Sequence, residues 1–275
     1  MAQAQSPDDE PILLRDDADG IATLTLNRPG SGNSLSHALV DALSTTLRQI
    51  ADDADVRVVV LAANGKHFCT GHDLKESIAT KTGDEKRASN AACNAMMQAI
   101  VDLPQPVIAK VHGTATASGC ELMASCDLAV AAQSARFATP GVNIGFWCYT
   151  PQVALSRAVS RKHALEMLLT GELYPSEDAL RMGLVNRVVP DDELDAAVGA
   201  LSATIASKSS AAVSRGKRSF HAQYDLDRAD AYAHVEGVIP EAFDTEDTKE
   251  GIAAFLEKRP PQWRGKEALP VITRE

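Results

Sequence analysis

Residues 111–128 read VHGTATASGCELMASCDL, from Val111 to Leu128. An apolar run of strand length, Val107 to Val111, leads in. Gly113 to Gly119 is a loop of small residues, and a helix is predicted from about Ser118 to Ser125. Leu128 to Ala131 reads as another short strand, so the stretch is a strand–loop–helix–strand unit. Small residues let a ligand come close to the backbone. The first N–H groups of a helix lack internal partners and carry the positive end of its dipole, so they can hold an oxyanion. A tight strand-to-helix turn needs the same residues for geometry alone, and this loop by itself leaves both readings open. Glu121 falls in the first turn of an otherwise apolar helix, among Cys120, Leu122, Met123 and Ala124. A carboxylate there is either a helix-stabilising charge or a base in a partly dry pocket.

Upstream, Val56 to Ala62 is a second continuous apolar run, read as a buried strand. It is followed by another candidate loop, Asn64 to Leu74. Nearer the start, Ile12 to Arg15 and Ile21 to Leu26 flank Asp19-Gly20, a hairpin signal. Ser36 is an N-cap for a helix with Leu39, Leu43, Leu47 and Ile50 on one face. Asp84 to Val101 is helical in pattern and stops before Pro104 and Pro106. Beyond Thr150 strand signals fade. Helical patterns follow through Leu155, Ala164 to Leu169, Asp178 to Arg181, Leu194 to Ile205, Ser209 to Tyr224 and Glu246 to Lys258, with Pro175, Pro190, Pro240 and Pro260-Pro261 between them. The expected organisation is a flexible tail (1–10), an α/β core (11–200) and a helical C-terminal region (201–275) that covers a site or makes an oligomer interface.

The formal net charge of −10 argues against nucleic acid and anionic membranes as bulk partners. Five cysteines, an odd number with no CxxC pair, fit reduced thiols in the cytoplasm rather than a disulfide framework or a zinc ribbon. The polar, acidic start has no apolar segment of a secretory signal, and no run approaches the ~18 apolar residues of a membrane span. GxGxxG, P-loop and GxSxG motifs are absent, which weakens dinucleotide, nucleotide and α/β-hydrolase readings. His67 and His72 share a loop without metal-ligand spacing, so no metal site is expected.

Taken together, the two loops resemble those of the crotonase (enoyl-CoA hydratase/isomerase) superfamily. Gly65 to Glu76, GKHFCTGHDLKE, resembles that family's GxxFxxGxDLxx segment, and Val111 to Leu128 its NGxxxGGGxELxxxCDx segment. Asn27-Arg28-Pro29 with Asn33-Ser34-Leu35, Phe137 to Pro140, the Gly171 to Val189 pattern and Glu250 to Arg259 are similar to further family elements, in order from about Ile12 to Trp263. Pro140 to Pro151 resembles one branch of the superfamily in particular. The resemblance implies a spiral of ββα units with a C-terminal helical region, assembled as a trimer or dimer of trimers. It implies an acyl-CoA site with no separate cofactor, CoA being part of the substrate. Matched residue by residue, the backbone N–H groups of His72 and Ser118 form an oxyanion hole, and Glu121 is one of two hydratase glutamates. The position of the second carries Gly141, so one carboxylate is missing. Arg28, Lys66, Phe68, Gly71, Asp73, Leu74 and Lys75 are candidates for binding CoA, the backbone carbonyls of Phe68 to Gly71 reading the adenine. Phe255 and Lys258 complete that site from a neighbouring subunit. A hydratase-type lyase is the leading expectation, with His72 or Tyr149 as neighbours able to stand in for the lost carboxylate. The alternatives are another crotonase reaction (isomerase, decarboxylase or thioester hydrolase) and a non-catalytic acyl-CoA binder. A serine peptidase is remote, because Ser118 has no ordered His/Asp partner evident in the sequence.

Overall fold

The computed structural model describes residues 10–79 and 82–265. Of the tail expected over residues 1–10, all but Glu10 lies outside them. Strands β1 (Leu13–Ala18) and β2 (Ile21–Leu26) form the predicted antiparallel hairpin, with Ala18 opposite Ile21. Asp19 and Gly20 between them both have positive φ, as a two-residue primed turn requires. Helix α1 (His37–Ala51) starts where Ser36 caps it, the Ser36 side chain accepting from the Leu39 N–H, and buries Leu39, Leu43, Leu47 and Ile50. Strand β3 (Val58–Ala63) follows, buried along its whole length. Then come α2 (Leu74–Ala79) and α3 (Gly83–Asp102), the latter opened by a reciprocal Thr82–Glu85 capping box.

From there a two-strand, one-helix unit recurs. It runs β4 (Val107–Val111), β5 (Thr114–Thr116), α4 (Ser118–Ala124), and again β6 (Leu128–Ala132), β7 (Arg136–Ala138), α5 (Pro151–Ala158). The remaining elements are α6 (Arg161–Thr170), β8 (Tyr174–Pro175), α7 (Ser176–Met182), β9 (Arg187–Val189), α8 (Leu194–Ala206), α9 (Ser210–Tyr224), α10 (Arg228–Asp244) and α11 (Glu246–Glu257). Each unit sends its first strand to a six-stranded sheet, β1-β2-β3-β4-β6-β9, and its second to a three-stranded sheet, β5-β7-β8. From β2 onward the large sheet is parallel, so both faces must be covered. Val59, Leu61, Ala109 and Val111 face the main core, with Leu39 and Leu43 of α1 and Met96 and Ile100 of α3. Val58, Val60, Ile108 and Val130 face the other way, against Leu194 and Val198 of α8.

Some elements differ from expectation. The loop read over Gly113 to Gly119 contains β5, and strands continue past Thr150 as β8 and β9; two or three residues are too few to show a period. Pro240, read as a break, sits inside α10, which the sequence reading did not name. The boundary at residue 200 falls within α8, and that helix lies on the sheet.

Candidate active site

Two loops that follow buried strands meet at the end of the large sheet. The loop after β3 is held from below by Asn33. Its amide donates to the carbonyls of Asn64 and His67, while its oxygen accepts from the Arg28 N–H. Above, Cys69 bridges to Ala115 of β5, the Cys69 N–H donating to Thr114 O and the Thr116 N–H to Cys69 O. The approach is close enough that a Cβ on Gly119 would lie 2.0 Å from the Cys69 carbonyl oxygen, so only glycine fits. Between β5 and α4 the chain turns through Ala117 at φ 50°, ψ −124°, a region L-residues rarely adopt. The surrounding contacts hold that strain: Ala117 N–H donates to Ala138 O and its carbonyl accepts from Glu121 N–H.

The strained turn brings Ser118 beside His72. Ser118 Oγ lies 2.7 Å from His72 Nδ1, a contact between residues 46 apart. This corrects the expectation that Ser118 has no ordered histidine partner. Among the described residues, the backbone N–H groups of His72 and Ser118 find no protein acceptor, although Ser118 is buried. Buried N–H groups are nearly always paired, so the Ser118 N–H is an exception, and the half-buried His72 carries the second unpaired donor. Burial, then the nearby His37, lowers the His72 pKa, which keeps its imidazole neutral.

Glu121, one turn along α4, is 5% exposed and lines a cleft of about 1060 Å³ with Tyr149, Thr150, Lys217 and Phe220. Burial pushes its carboxyl up to about 7, against a hydrogen bond from Thr150 Oγ (2.8 Å) and a weaker effect of the Ser118 hydroxyl. A carboxylate with a pKa near neutrality is suited to both taking and giving a proton. Thr150, which orients it, was not singled out in the sequence; nothing in a lone threonine at a helix start signals a contact 29 residues away. Gly141 is buried in a 3₁₀ turn, Pro140–Ile144, where a Cβ would meet Phe146 O at 2.6 Å and Cys148 at 3.0 Å. No side chain fits there without moving the loop. Tyr149 reaches the same cleft, whereas His72 reaches the site through Ser118. Cys93 and Cys120 are buried and their thiols pushed up to about 12, so they stay protonated.

The outer candidates are less gathered. Arg28 and Asp73 are occupied by each other (3.2 Å), and Arg28 also donates to Ser34 O, so together they brace the loop. Phe68 is fully buried in the core, which removes its side chain as a ligand contact. The carbonyls of Cys69, Thr70 and Gly71 already accept from Thr116 N, Thr116 Oγ and Leu35 N. Lys66, Leu74 and Lys75 are exposed around this loop. Phe255, 81% exposed, and Lys258 lie outside the Glu121 cleft of their own chain. Among the described residues no group of three or more His, Cys, Asp or Glu could hold a metal ion, and no helix is long and apolar enough to cross a membrane.

A spiral of strand–strand–helix units, with the His72 and Ser118 loops brought together and a buried glutamate one turn along α4, defines a fold that comparison with known proteins identifies. The chain belongs to the enoyl-CoA hydratase/isomerase family, whose model matches residues 16–266, and it has the crotonase fold. It is 41% identical over 263 residues to the rat protein named enoyl-CoA hydratase domain-containing protein 3, mitochondrial, covering 95% of this chain and 88% of that one. That is the branch which Pro140 to Pro151 resembles. The crystal structure of human enoyl-CoA hydratase domain-containing protein 3 is 42% identical with a TM-score of 0.87, covering 92% of this chain and all (100%) of that one. An enoyl-CoA hydratase structure from Mycobacterium smegmatis is 50% identical with a TM-score of 0.90, covering 92% and 99%. The expected cytoplasmic placement is overturned by the names of the rat, Xenopus laevis, mouse, human and zebrafish relatives, all mitochondrial. Free thiols argue against an oxidising compartment but do not choose among reducing ones.

Proposed function

We propose that this chain is an acyl-CoA enzyme of hydratase type, a lyase working with one carboxylate. The thioester oxygen is received by the N–H groups of His72 and Ser118, and Glu121 does the acid–base work. The observation that carries this reading is the pair of unpaired N–H donors beside a buried glutamate whose pKa is about 7. As water attacks the β-carbon of an enoyl-CoA, Glu121 takes its proton. Negative charge passes to the thioester oxygen, where each N–H is worth about 2.7–4 kcal/mol in such sites. Glu121 then returns the proton to the α-carbon, so one group serves as base and acid and Gly141 is not needed. CoA is part of the substrate and no separate cofactor is called on. The exposed Lys66 and Lys75, with Leu74 beside them, are suited to the nucleotide phosphates at the Gly71 loop. Phe255 and Lys258 are proposed to reach that loop from a neighbouring copy in a trimer or dimer of trimers.

The test is hydration of crotonyl-CoA, followed by loss of the enoyl absorbance and by product mass. The expected outcome is turnover by the wild type and a loss of about 100- to 10,000-fold in Glu121→Gln. Full activity in Glu121→Gln would remove Glu121 from the mechanism, and no turnover by the wild type would remove the hydratase reading.

A further inference from the structure

Hydration uses the backbone N–H groups of His72 and Ser118, while the Ser118 hydroxyl touches two side chains, His72 at 2.7 Å and the Glu121 carboxyl. We infer that Ser118 and His72 form a nucleophile–base pair that cleaves an acyl thioester through an acyl-serine, a second activity at the proposed acyl-CoA site, on which reading the inference rests. A serine hydroxyl becomes a useful nucleophile when a base lies within about 2.6–3.2 Å, and His72 Nδ1 is at 2.7 Å. In the tautomer protonated at Nε2, which is buried with no hydrogen-bond partner among the described residues, Nδ1 accepts the Ser118 proton; burial, then His37, lowers the ring's pKa and favours its neutral form.

The hydroxyl does not serve the helix it opens. It makes no cap on α4, whose N-cap residue is Ala117 and lacks a side-chain hydrogen bond. It hydrogen-bonds His72 at 2.7 Å and also the Glu121 carboxyl, whose pKa it lowers. The strained Ala117 also places serine at a sharp strand-to-helix turn, the kind of backbone that presents a nucleophile to a carbonyl. A carbonyl oxygen held by the His72 and Ser118 N–H groups brings its carbon to the Oγ of the same serine. One residue then supplies both donor and nucleophile, as in serine proteases. The ring shares a second cavity, about 40 Å³, with His37, Asp41, Asp73 and Glu76, of which Asp73 is paired with Arg28 and Glu76 with His37.

The step balances without a co-reactant other than water. Ser118 Oγ bonds to the thioester carbon and its proton moves to His72 Nδ1. The carbon–sulfur bond breaks, and the CoA sulfur takes that proton and leaves as the thiol. Water then attacks the serine ester, giving its proton to Glu121 in the large cleft. Oγ leaves and takes that proton from Glu121, releasing the free acid.

Butyryl-CoA, a saturated thioester with no double bond to hydrate, separates the two activities. The full-length protein is incubated with it, free CoA is followed by chromatography and the quenched protein by mass. The expected result is CoA release, a butyryl mass on the peptide containing Ser118, and accumulation of that adduct in Glu121→Gln. Ser118→Ala, its fold checked by circular dichroism, should lower CoA release at least about 1,000-fold. Hydration of crotonyl-CoA by the wild type without CoA release from butyryl-CoA overturns this inference and leaves the hydratase reading standing. Undiminished release by Ser118→Ala overturns it as well. Failure of both reactions overturns both readings.

Discussion

Glu121 holds its proton at a pH where surface glutamates have lost theirs, and that has a sign. Burial raises its pKa from the ordinary 4.5 to about 7 in the folded chain. Between those values the folded state binds more protons than the unfolded one, so stability falls as pH rises through this window. Below about 4.5 both states are protonated and there is no penalty; above about 7 the full penalty, on the order of 3 kcal/mol, is present. Glu121→Gln, which is never charged, is therefore expected to unfold at higher urea than wild type at pH 8 and at nearly the same urea at pH 4. Equal midpoints at both values would show that the carboxylate is not held out of water as its surroundings imply. Ala117 adds a cost of its own, of order 1–3 kcal/mol, at the neighbouring turn. The site thus concentrates two local penalties that the core has to offset.

At the scale of elements, α9 is fastened to the sheet by one cluster. Lys217 Nζ donates to Asp127 Oδ2 (2.6 Å) and to the carbonyls of Ile100 and Gln105, while Asp127 also accepts from the Val107 N–H. His221 stands 3.5 Å from the same carboxylate. Removing one member of a buried ion pair costs about 3–5 kcal/mol, because the other stays buried and unpaired. Lys217→Met is accordingly expected to lower unfolding free energy by about that amount, read from urea titration; a change under ~1 kcal/mol would mean that water already reaches Asp127. Such a cluster could not be read from the sequence, since its members lie on α3, β4, α4's exit and α9. What could be read was local. Asp19-Gly20 encodes its turn, Ser36 its cap, and β3 its burial in an unbroken apolar run. Short strands such as β8 carry too few residues for a period, and Pro240 misled because proline breaks helices more often than it sits inside them. At the candidate site, motif matching singled out Glu121, His72, Ser118 and Gly141. The 2.7 Å contact between Ser118 and His72, the Thr150 hydrogen bond and the Arg28–Asp73 pair depend on how loops 30 or more positions apart are folded together, or nearly so for Thr150.

Across the whole molecule, the sheets and α1 to α8 contain most of the buried side chains, and the last helices contain few. Helix α10 has 17 residues and none of them is buried; Tyr232, Ile239 and Phe243 are half or more exposed. On α11, Phe255 and Leu256 are 81% and 73% exposed. A helix gains most of its stability from packing an apolar face, so these faces call for a partner. A second and third copy of this chain is the partner proposed here, and light scattering at micromolar concentration is expected to give at least a trimeric mass; a clean monomer would contradict it. The cleft beside Glu121 is walled on one side by Gly216, Lys217, Phe220, His221 and Tyr224 of α9, and α9 is backed by α10. Dilution that separates the copies would loosen that wall while the sheets persist. Activity per molecule would then fall with enzyme concentration, and a feeble rate measured in a very dilute assay would report on assembly rather than on chemistry.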